Sequence, residues 1–319
     1  MPIRTFAQFE KGSAIFYGGE EIRGQFVTTT SDKLSVNSIY ILLEGEANVM
    51  PYENASSPME YGTQRYLSER MDYSNAIELS PGTYNYAFNF TAPLTCPSSC
   101  VSPCGKIFYH VILVIDRSWH SDHVYKEAIQ LIQPTNLNLL QEAKIPIESE
   151  HIKSLCCWPF SSGPANLTLT IHFGGYVPGQ KISCTVCIDN QSVGNDLQNV
   201  QLCLKQIMSY ASTRSMDRPR VREKSLVSCV LSECVKRLSK RLIRATLVVP
   251  PVPPTTLEVI ETIDQIIKVR YAIGISMQYG FCLNWNIDTP IIIGTVPLIQ
   301  IIQNPTESCT ATAPIAETD

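Results

Sequence analysis

The chain has 319 residues, a formal net charge of −4, 44% hydrophobic residues and 17% charged residues. Its length suits about two domains of roughly 150 residues, each large enough to bury its own core. The acidic balance argues against a protein held to nucleic acid by its overall charge. Because the sequence shows no run of about 18 apolar residues and no apolar leader, we expect a cytosolic chain whose cysteines are mostly reduced.

Strand and turn landmarks of the first half recur about 160 residues later, an offset far longer than a solenoid repeat. The matching pairs are residues 16–22 with 173–182, 39–42 with 200–203, and 107–111 with 267–271. Three landmarks at a nearly constant offset predict two copies of one fold. Since the landmarks are strands and turns, the repeated unit is β.

Several segments alternate apolar and polar residues with a period of two. Residues 84–90, 167–173 and 267–276 each place one apolar set on a single face, and turns such as Ser80-Pro81-Gly82 separate such segments. Many short strands without long helical patterns predict an all-β chain of two immunoglobulin-like sandwiches in tandem. We place the first at residues 1–145, the second at 146–303, and a short disordered tail at 304–319.

Two polar segments are long enough to be functional loops, residues 53–70 and 212–244. The second holds ten basic and three acidic residues, a net charge of +7 in an otherwise acidic chain. Such asymmetry favours an anionic partner, either acidic lipid headgroups or acidic or phosphorylated tails. The alternative is two solvated strand faces joined by a turn. The predicted binding residues are Arg218, Arg220, Arg222, Lys236, Arg237, Lys240, Arg241 and Arg244.

Three cysteines in one loop are a candidate zinc site. Cys96, Cys100 and Cys104 would need a fourth ligand such as His110, but only one such set is present, so core cysteines are the favoured interpretation. Cys156 and Cys157 are the other candidates for the fourth ligand.

Other short motifs also favour structural interpretations. Cys184 and Cys187 resemble a redox pair, yet on a strand they would point to opposite faces. His120 and His123 suit a solvated turn better than a metal pair. Residues 250–254, Pro-Pro-Val-Pro-Pro, would suit an SH3 domain but fit a crossover between strands better.

No nucleophile elbow, phosphate-binding loop, dinucleotide fingerprint or zinc-protease motif occurs in the sequence. We therefore expect a protein that is not an enzyme and uses no cofactor. A hydrolase or thiol enzyme would need a cleft that holds a cysteine of low pKa.

The chain resembles the α-arrestins, or arrestin domain-containing proteins. The resemblance covers roughly residues 5–302, in the family's order, and its segments are residues 17–24, 82–88, 105–109, 117–119, 134–138, 156–157, 162–164, 175–180, 252–255 and 290–298. It implies two arrestin-type sandwiches and a cytoplasmic adaptor, peripheral to the plasma membrane or endosomes, that binds cytoplasmic parts of membrane proteins and directs their trafficking. It assigns no catalytic residue.

The family often recruits a HECT-type ubiquitin ligase through PPxY motifs. No Pro-Pro-x-Tyr occurs here, since Pro253-Pro254 is followed by Thr255; a link to ubiquitination stays open, but the sequence does not itself support direct recruitment of the ligase. One alternative is a retromer-type coat subunit. Another is a secreted tandem-immunoglobulin protein, which the 12 cysteines and four glycosylation sequons would suit; the sequons are at Asn54, Asn89, Asn166 and Asn190.

Overall fold

The computed structural model describes residues 3–50, 61–157, 160–212, 215–257, 265–279 and 283–299, without side-chain detail at 155–157, 160–162, 215–218 and 283. Almost all regular structure in these residues is β-strand, as the alternating patterns predict. The first half contains β1 (Arg4–Phe9), β2 (Ile15–Tyr17), β3 (Glu21–Thr30), β4 (Leu34–Val49), β5 (Gly62–Leu79), β6 (Gly82–Thr91), β7 (Cys100–Ser102), β8 (Gly105–Arg117) and β9 (His123–Ile132).

A short 3-10 turn (Leu137–Leu139) and one helical turn, α1 (Gln141–Lys144), join the halves. The second half contains β10 (Ile147–Cys157), β11 (Phe160–Ile171), β12 (Gly175–Tyr176), β13 (Lys181–Asn190), β14 (Leu197–Ser212), β15 (Ser215–Val235), β16 (Ser239–Val248), β17 (Ile267–Tyr279) and β18 (Leu283–Ile293).

In the part of the chain that the structure describes, each half contains two β-sheets. In the first half the order β1-β3-β6 forms one sheet and β2-β9-β8-β4-β5 the other, with β7 paired to β8. In the second half the orders are β10-β11-β13-β16 and β12-β18-β17-β14-β15. The same connectivity thus occurs twice, with β10 as an additional edge strand. Even the parallel pair β2–β9 recurs, as β12–β18.

Strand lengths repeat as well. β3 and β13 have ten residues each, β4 and β14 have 16, and β8 and β17 have 13. The predicted duplication and the all-β fold of two tandem sandwiches are therefore confirmed. The predicted domain limits stay a prediction; α1 ends at Lys144 and β10 begins at Ile147, and residues 304–319 lie outside the described residues.

The cores follow from strand alternation. On β13, Ile182, Cys184, Val186 and Ile188 are buried while the residues between them are not. Because successive side chains on a strand point to opposite faces, this pattern gives the strand one core face and one wetter face. Cys184 and Cys187 accordingly lie on opposite faces of β13, as predicted.

The two predicted loops are largely strands. Residues 62–70 open β5, and residues 215–244 form β15, a turn and most of β16. Both interpretations as loops were wrong, apart from residues 53–60, which lie outside the described residues. Each of these strands is at the edge of its sheet, where exposed polar side chains need no loop to reach water. The alternative of two solvated strand faces joined by a turn describes residues 212–244 better.

The connection between the sandwiches is itself packed against the second one. Thr135 accepts backbone hydrogen bonds from Thr295 (2.9 Å) and Val296 (3.1 Å), and its own N–H donates to the Thr295 hydroxyl (2.8 Å). Leu137, in the 3-10 turn, is fully buried. The sandwiches are thus joined by an ordered segment that is hydrogen-bonded to both.

Candidate functional site

The predicted basic segment is divided between two sheets. β15 is the edge strand of the five-stranded sheet, and β16 is the edge strand of the four-stranded sheet. Arg220 and Arg222 lie on β15, far along the strand from the turn that precedes β16. Arg218 is also on β15, and its side chain is outside the described ones. The eight predicted residues therefore do not form one patch.

The turn between β15 and β16 presents an exposed leucine in a strained backbone conformation. Leu238, between Arg237 and Ser239, is 68% exposed and has a φ of 54°. The left-handed region costs a non-glycine residue about 1–2 kcal/mol, and an exposed leucine gains no burial in return. A strained, exposed apolar side chain between basic residues is typical of a contact surface.

Hydrogen bonds hold this turn in place. Asp196 accepts the backbone N–H of Arg237 (2.9 Å) and pairs with the ammonium of Lys236 (3.0 Å). These two interactions, the Arg237 N–H first, lower the pKa of Asp196. The Ser239 hydroxyl donates to the carbonyl of Lys236 (2.5 Å). The turn therefore presents Leu238 on a fixed backbone.

A second loop lies beside the turn and carries another exposed apolar residue. Asn190, at the end of β13, donates to the carbonyls of Asn195 (3.0 Å) and Val235 (3.3 Å), which ties the β13–β14 loop to the end of β15. Val193 in this loop is 60% exposed. We call residues 192–196 and 236–241 together the basic tip.

The positive charge of the basic tip is smaller than the sequence suggests. Asp196 pairs with Lys236, and Asp189 on β13 lies directly opposite Lys240. No ion pair holds Arg237 or Arg241 to another residue in the described part of the chain. These two arginines carry most of the uncompensated charge.

The remaining predicted residues lie on two different faces of β16, because successive side chains of a strand alternate. Lys240 and Arg244 share the outer face of β16 with Leu242, which is 63% exposed. Arg241 lies on the opposite face, on the same side as Ile243 and Ala245, which pack against the core. Of the predicted set, Lys236, Arg237, Lys240 and Arg241 thus belong to the basic tip, with Lys240 and Arg241 on opposite faces, while Arg244 lies further along the strand.

A cleft between the sandwiches is a second candidate site. It has a volume of about 400 Å³ between Tyr17 and Gln130 of the first sandwich and the proline segment of the second. The proline segment is fastened there, because Tyr271 donates to the carbonyl of Pro253 (2.6 Å) and Val249 donates to Gln180 (3.0 Å). The segment lies between β16 and β17 as a crossover, the interpretation that the sequence favoured over an SH3 ligand.

The cysteine loop shows a packed core arrangement. Cys96 and Cys104 are buried and Cys100 is half-buried. Burial raises the pKa of Cys96 and of Cys100 to about 11, so both remain protonated thiols near neutral pH. No group of three metal-ligating side chains occurs among the described residues, although the side chains of Cys156 and Cys157 lie outside them.

The two histidines near the β8–β9 turn have separate partners. His123 is hydrogen-bonded to the Thr5 hydroxyl (3.0 Å), and burial lowers its pKa. His120 contacts the carbonyl of Ser118 (3.1 Å). His120 fits the solvated turn that we expected, whereas His123 is half-buried at the start of β9.

Comparisons with known proteins match both halves. Residues 6–138 match the family model described as "Arrestin (or S-antigen), N-terminal domain", and residues 161–298 match "Arrestin (or S-antigen), C-terminal domain". The order of the two matches agrees with the order of the two sandwiches. The class of protein is therefore a two-domain arrestin.

Comparison with individual proteins shows which group of arrestins the chain resembles. Arrestin domain-containing protein 4 of Homo sapiens is 24% identical over 88% of this chain and 68% of its own length. Arrestin domain-containing protein 1 of Mus musculus is 24% identical over 93% of this chain and 65% of its own length. The Rattus norvegicus form of protein 1 is 26% identical over 65% of this chain. The chain belongs to the arrestin domain-containing, or α-arrestin, family of arrestin-like adaptors, as its motifs predict.

The matched region spans 47% of the length of the rat relative, so the activities and partners of whole relatives enter only as proposals. No helix in the described part of the chain is long and apolar enough to cross a membrane.

Sequence reasoning missed two residues of the basic tip, Leu238 and Val193. The signal for Leu238 was present, because a leucine within Lys-Arg-Leu-Ser-Lys-Arg has no apolar neighbour to join a core face. Val193 gave no comparable signal.

Proposed function

We propose that this chain is a non-enzymatic adaptor that acts at the cytoplasmic surface of the plasma membrane or endosomes, binds cytoplasmic parts of membrane proteins and takes part in their sorting or endocytosis. The observation that carries the proposal is the basic tip, where Leu238 and Val193 stand exposed beside Arg237 and Arg241. Family membership supports the adaptor role. A ligase of the HECT type is not part of the proposal, since the sequence has no Pro-Pro-x-Tyr.

The chemistry of the basic tip suits an anionic lipid surface. Each basic residue near such a surface contributes roughly 1 kcal/mol. Fully burying a leucine or valine side chain contributes about 1.5–3 kcal/mol more. The side chains of Asp196 and Asn190, hydrogen-bonded to backbone groups of the tip and of β15, keep the tip ordered before contact, so little ordering entropy opposes binding.

Reversing the charge of the tip should weaken binding to vesicles of phosphatidylcholine and phosphatidylserine. We expect the triple variant Arg237→Glu, Lys240→Glu, Arg241→Glu to bind about 100-fold more weakly, because it loses roughly 1 kcal/mol for each of the three basic residues. Co-sedimentation at low ionic strength measures the effect, and added salt should weaken the wild type as well. Unchanged binding of the triple variant at low salt would exclude the lipid interaction.

Two leucines of similar exposure distinguish the apolar contribution to vesicle binding from the contribution of charge. Leu238→Ser removes the side chain at the tip and should weaken vesicle binding about tenfold or more, in line with roughly 1.5–3 kcal/mol for a buried leucine. Leu242→Ser changes an equally exposed leucine on the outer face of β16 and should have little effect. Equal losses in both variants would show that the tip has no special role.

The trafficking role needs a cellular test. Proximity labelling from this chain in cells should mark membrane proteins and endosomal coat components. A set of neighbours dominated by metabolic enzymes would count against the adaptor, whatever the lipid experiment shows.

A further inference from the structure

The part of β15 that lies far from the basic tip faces a cleft between the sandwiches. Over residues 220–225 its register with β14 is regular, and Arg220, Arg222 and Lys224 lie opposite Tyr210, Met208 and Gln206. Because directly opposite residues of a strand pair point to the same side, these basic residues share the face of Met208 and Tyr210.

The cleft itself has an apolar floor. It has a volume of about 330 Å³ and runs between the β7–β8 turn of the first sandwich and the strands β14 and β15 of the second. Met208, Tyr210 and Cys104 are buried at its base, while Val101 at its rim is 85% exposed. The Tyr210 hydroxyl is fixed by the Met208 sulfur (3.3 Å). This size lies at the lower end of the range for binding pockets, roughly 300–1,000 Å³.

The rim of this cleft carries two cations at alternate positions, Arg222 and Lys224, about 7 Å apart along the strand. Glu223 lies between them, but its carboxylate reaches Lys205 (3.5 Å) on the other face of the sheet. Lys205 also pairs with Asp288 (2.7 Å). Within the described residues no ion pair holds Lys224. The cleft face of β15 is therefore positive, although Glu223 lies at its edge.

β15 also has a free edge. In its sheet it is hydrogen-bonded to β14 alone, as far as the described residues show. Pro219, which has no N–H, precedes the regular stretch and limits strand addition on that side. Residues 220–225 are the longest stretch of regular register that the structure describes along this edge.

We propose that an extended acidic segment of a partner protein binds along this edge of β15. Its backbone adds a strand to the sheet, and carboxylates at alternate positions meet Arg222 and Lys224. An apolar side chain of the segment enters the cleft against Met208 and Tyr210. The inference rests on the proposed function only in taking the partner to be the cytoplasmic part of a membrane protein.

The spacing of the cations makes a sharp test possible. The probe is a labelled short peptide that alternates glutamate with valine and carries one leucine, and its binding is followed by fluorescence anisotropy without lipid. We expect saturable binding, and binding weaker by about tenfold or more for a peptide of the same composition whose glutamates are adjacent. Equal binding of both peptides, or no binding of the alternating one, would overturn the proposal.

Matched variants locate the site. Arg222→Glu with Lys224→Glu should weaken peptide binding about tenfold or more, whereas Lys240→Glu with Arg244→Glu makes the same charge change on β16 and should leave it intact. Val101→Asp alters only an exposed rim residue, so it keeps the test valid if the β15 variant fails to fold, and it should also weaken binding. Equal losses from the β15 and β16 pairs would show general charge attraction and overturn the site.

Two further outcomes keep this inference separate from the proposed function. The β15 variant should bind anionic vesicles as the wild type does, because the basic tip is untouched. A phosphoserine peptide that binds more tightly than the glutamate peptide regardless of spacing would overturn the assignment to an acidic strand.

Discussion

Gly45→Ala should lower the free energy of unfolding of the first sandwich by about 3 kcal/mol or more. Gly45 lies in β4, directly opposite Tyr109 of β8. A methyl group at this position would overlap the ring of Tyr109, closer than two carbon atoms can approach, and would also meet Leu67 at 3.3 Å. Overpacking of this kind costs typically about 1–3 kcal/mol.

The ring cannot move away without a second loss. The buried hydroxyl of Tyr109 donates to the carbonyl of Pro97 (2.7 Å), and burial raises the pKa of this tyrosine. Leaving a buried polar group without its partner costs about 1–3 kcal/mol in addition. Thermal unfolding should show a midpoint lower by about 6–12 °C, at roughly 2–4 °C per kcal/mol for a unit of this size.

Gly82→Ala is the matched control for this change. Gly82 begins β6 in the same sandwich, and an added methyl group there meets only the Ser80 carbonyl and the Tyr84 ring, both at 3.9 Å. We expect a change within about 0.5 kcal/mol, as for an ordinary surface substitution. A midpoint for Gly45→Ala equal to that of Gly82→Ala would contradict the packing of Tyr109 described above.

The fold could be predicted from the sequence because it follows from local patterns of apolar and polar residues. Alternation of side chains fixes which face of a strand is buried, and residues 167–173 and 267–276 show it without interruption. The duplicated landmarks then gave the number of sandwiches. Where this alternation is weak, the sequence did not predict the strands. The sequence predicts a loop over residues 212–244 because the edge strands β15 and β16, which lie there, carry charged side chains on both faces.

The candidate sites were harder to predict from the sequence because they combine residues that are far apart along the chain. The basic tip needs Asp196 and Asn190 to hold a turn about 40 residues further along the chain, a non-local pairing that sequence patterns do not show. The cleft beside β15 combines Val101 with Met208, which belong to different sandwiches. Conversely, residues close in sequence, such as Arg222 and Lys240, are separated because β15 and β16 belong to different sheets.

The segment that joins the sandwiches packs closely against the second one. Three glycines of the second sandwich, Gly174, Gly175 and Gly294, leave the space that this segment fills. A β-carbon on Gly294 would lie 2.6 Å from the Cγ of Leu137, and one on Gly175 would lie 3.0 Å from its Cδ2. The joining segment is therefore packed against the second sandwich through the buried side chain of Leu137, in addition to its hydrogen bonds.

Leu137→Ala should lower stability by about 2–5 kcal/mol, towards the upper end of this range. The surroundings cannot collapse into the space, because glycines have no side chains that move in. Differential scanning calorimetry and limited proteolysis at residues 139–146 measure the effect, and the joining segment should be cut faster. Leu139→Ala is the matched control: two residues away, this leucine is 79% exposed and its loss should cost less than about 0.5 kcal/mol.

A double-mutant cycle identifies the contact itself. Gly294→Ala alone should destabilise the protein, since its methyl group overlaps Leu137 and lies 2.9 Å from the carbonyl of Thr135. In the Leu137→Ala background the first overlap disappears and the methyl group occupies part of the vacated space. We therefore expect the double variant to be more stable than the sum of the single changes implies, by about 1 kcal/mol or more. Simple additivity would show that Leu137 does not pack on Gly294 and that the joining segment is held by its hydrogen bonds alone.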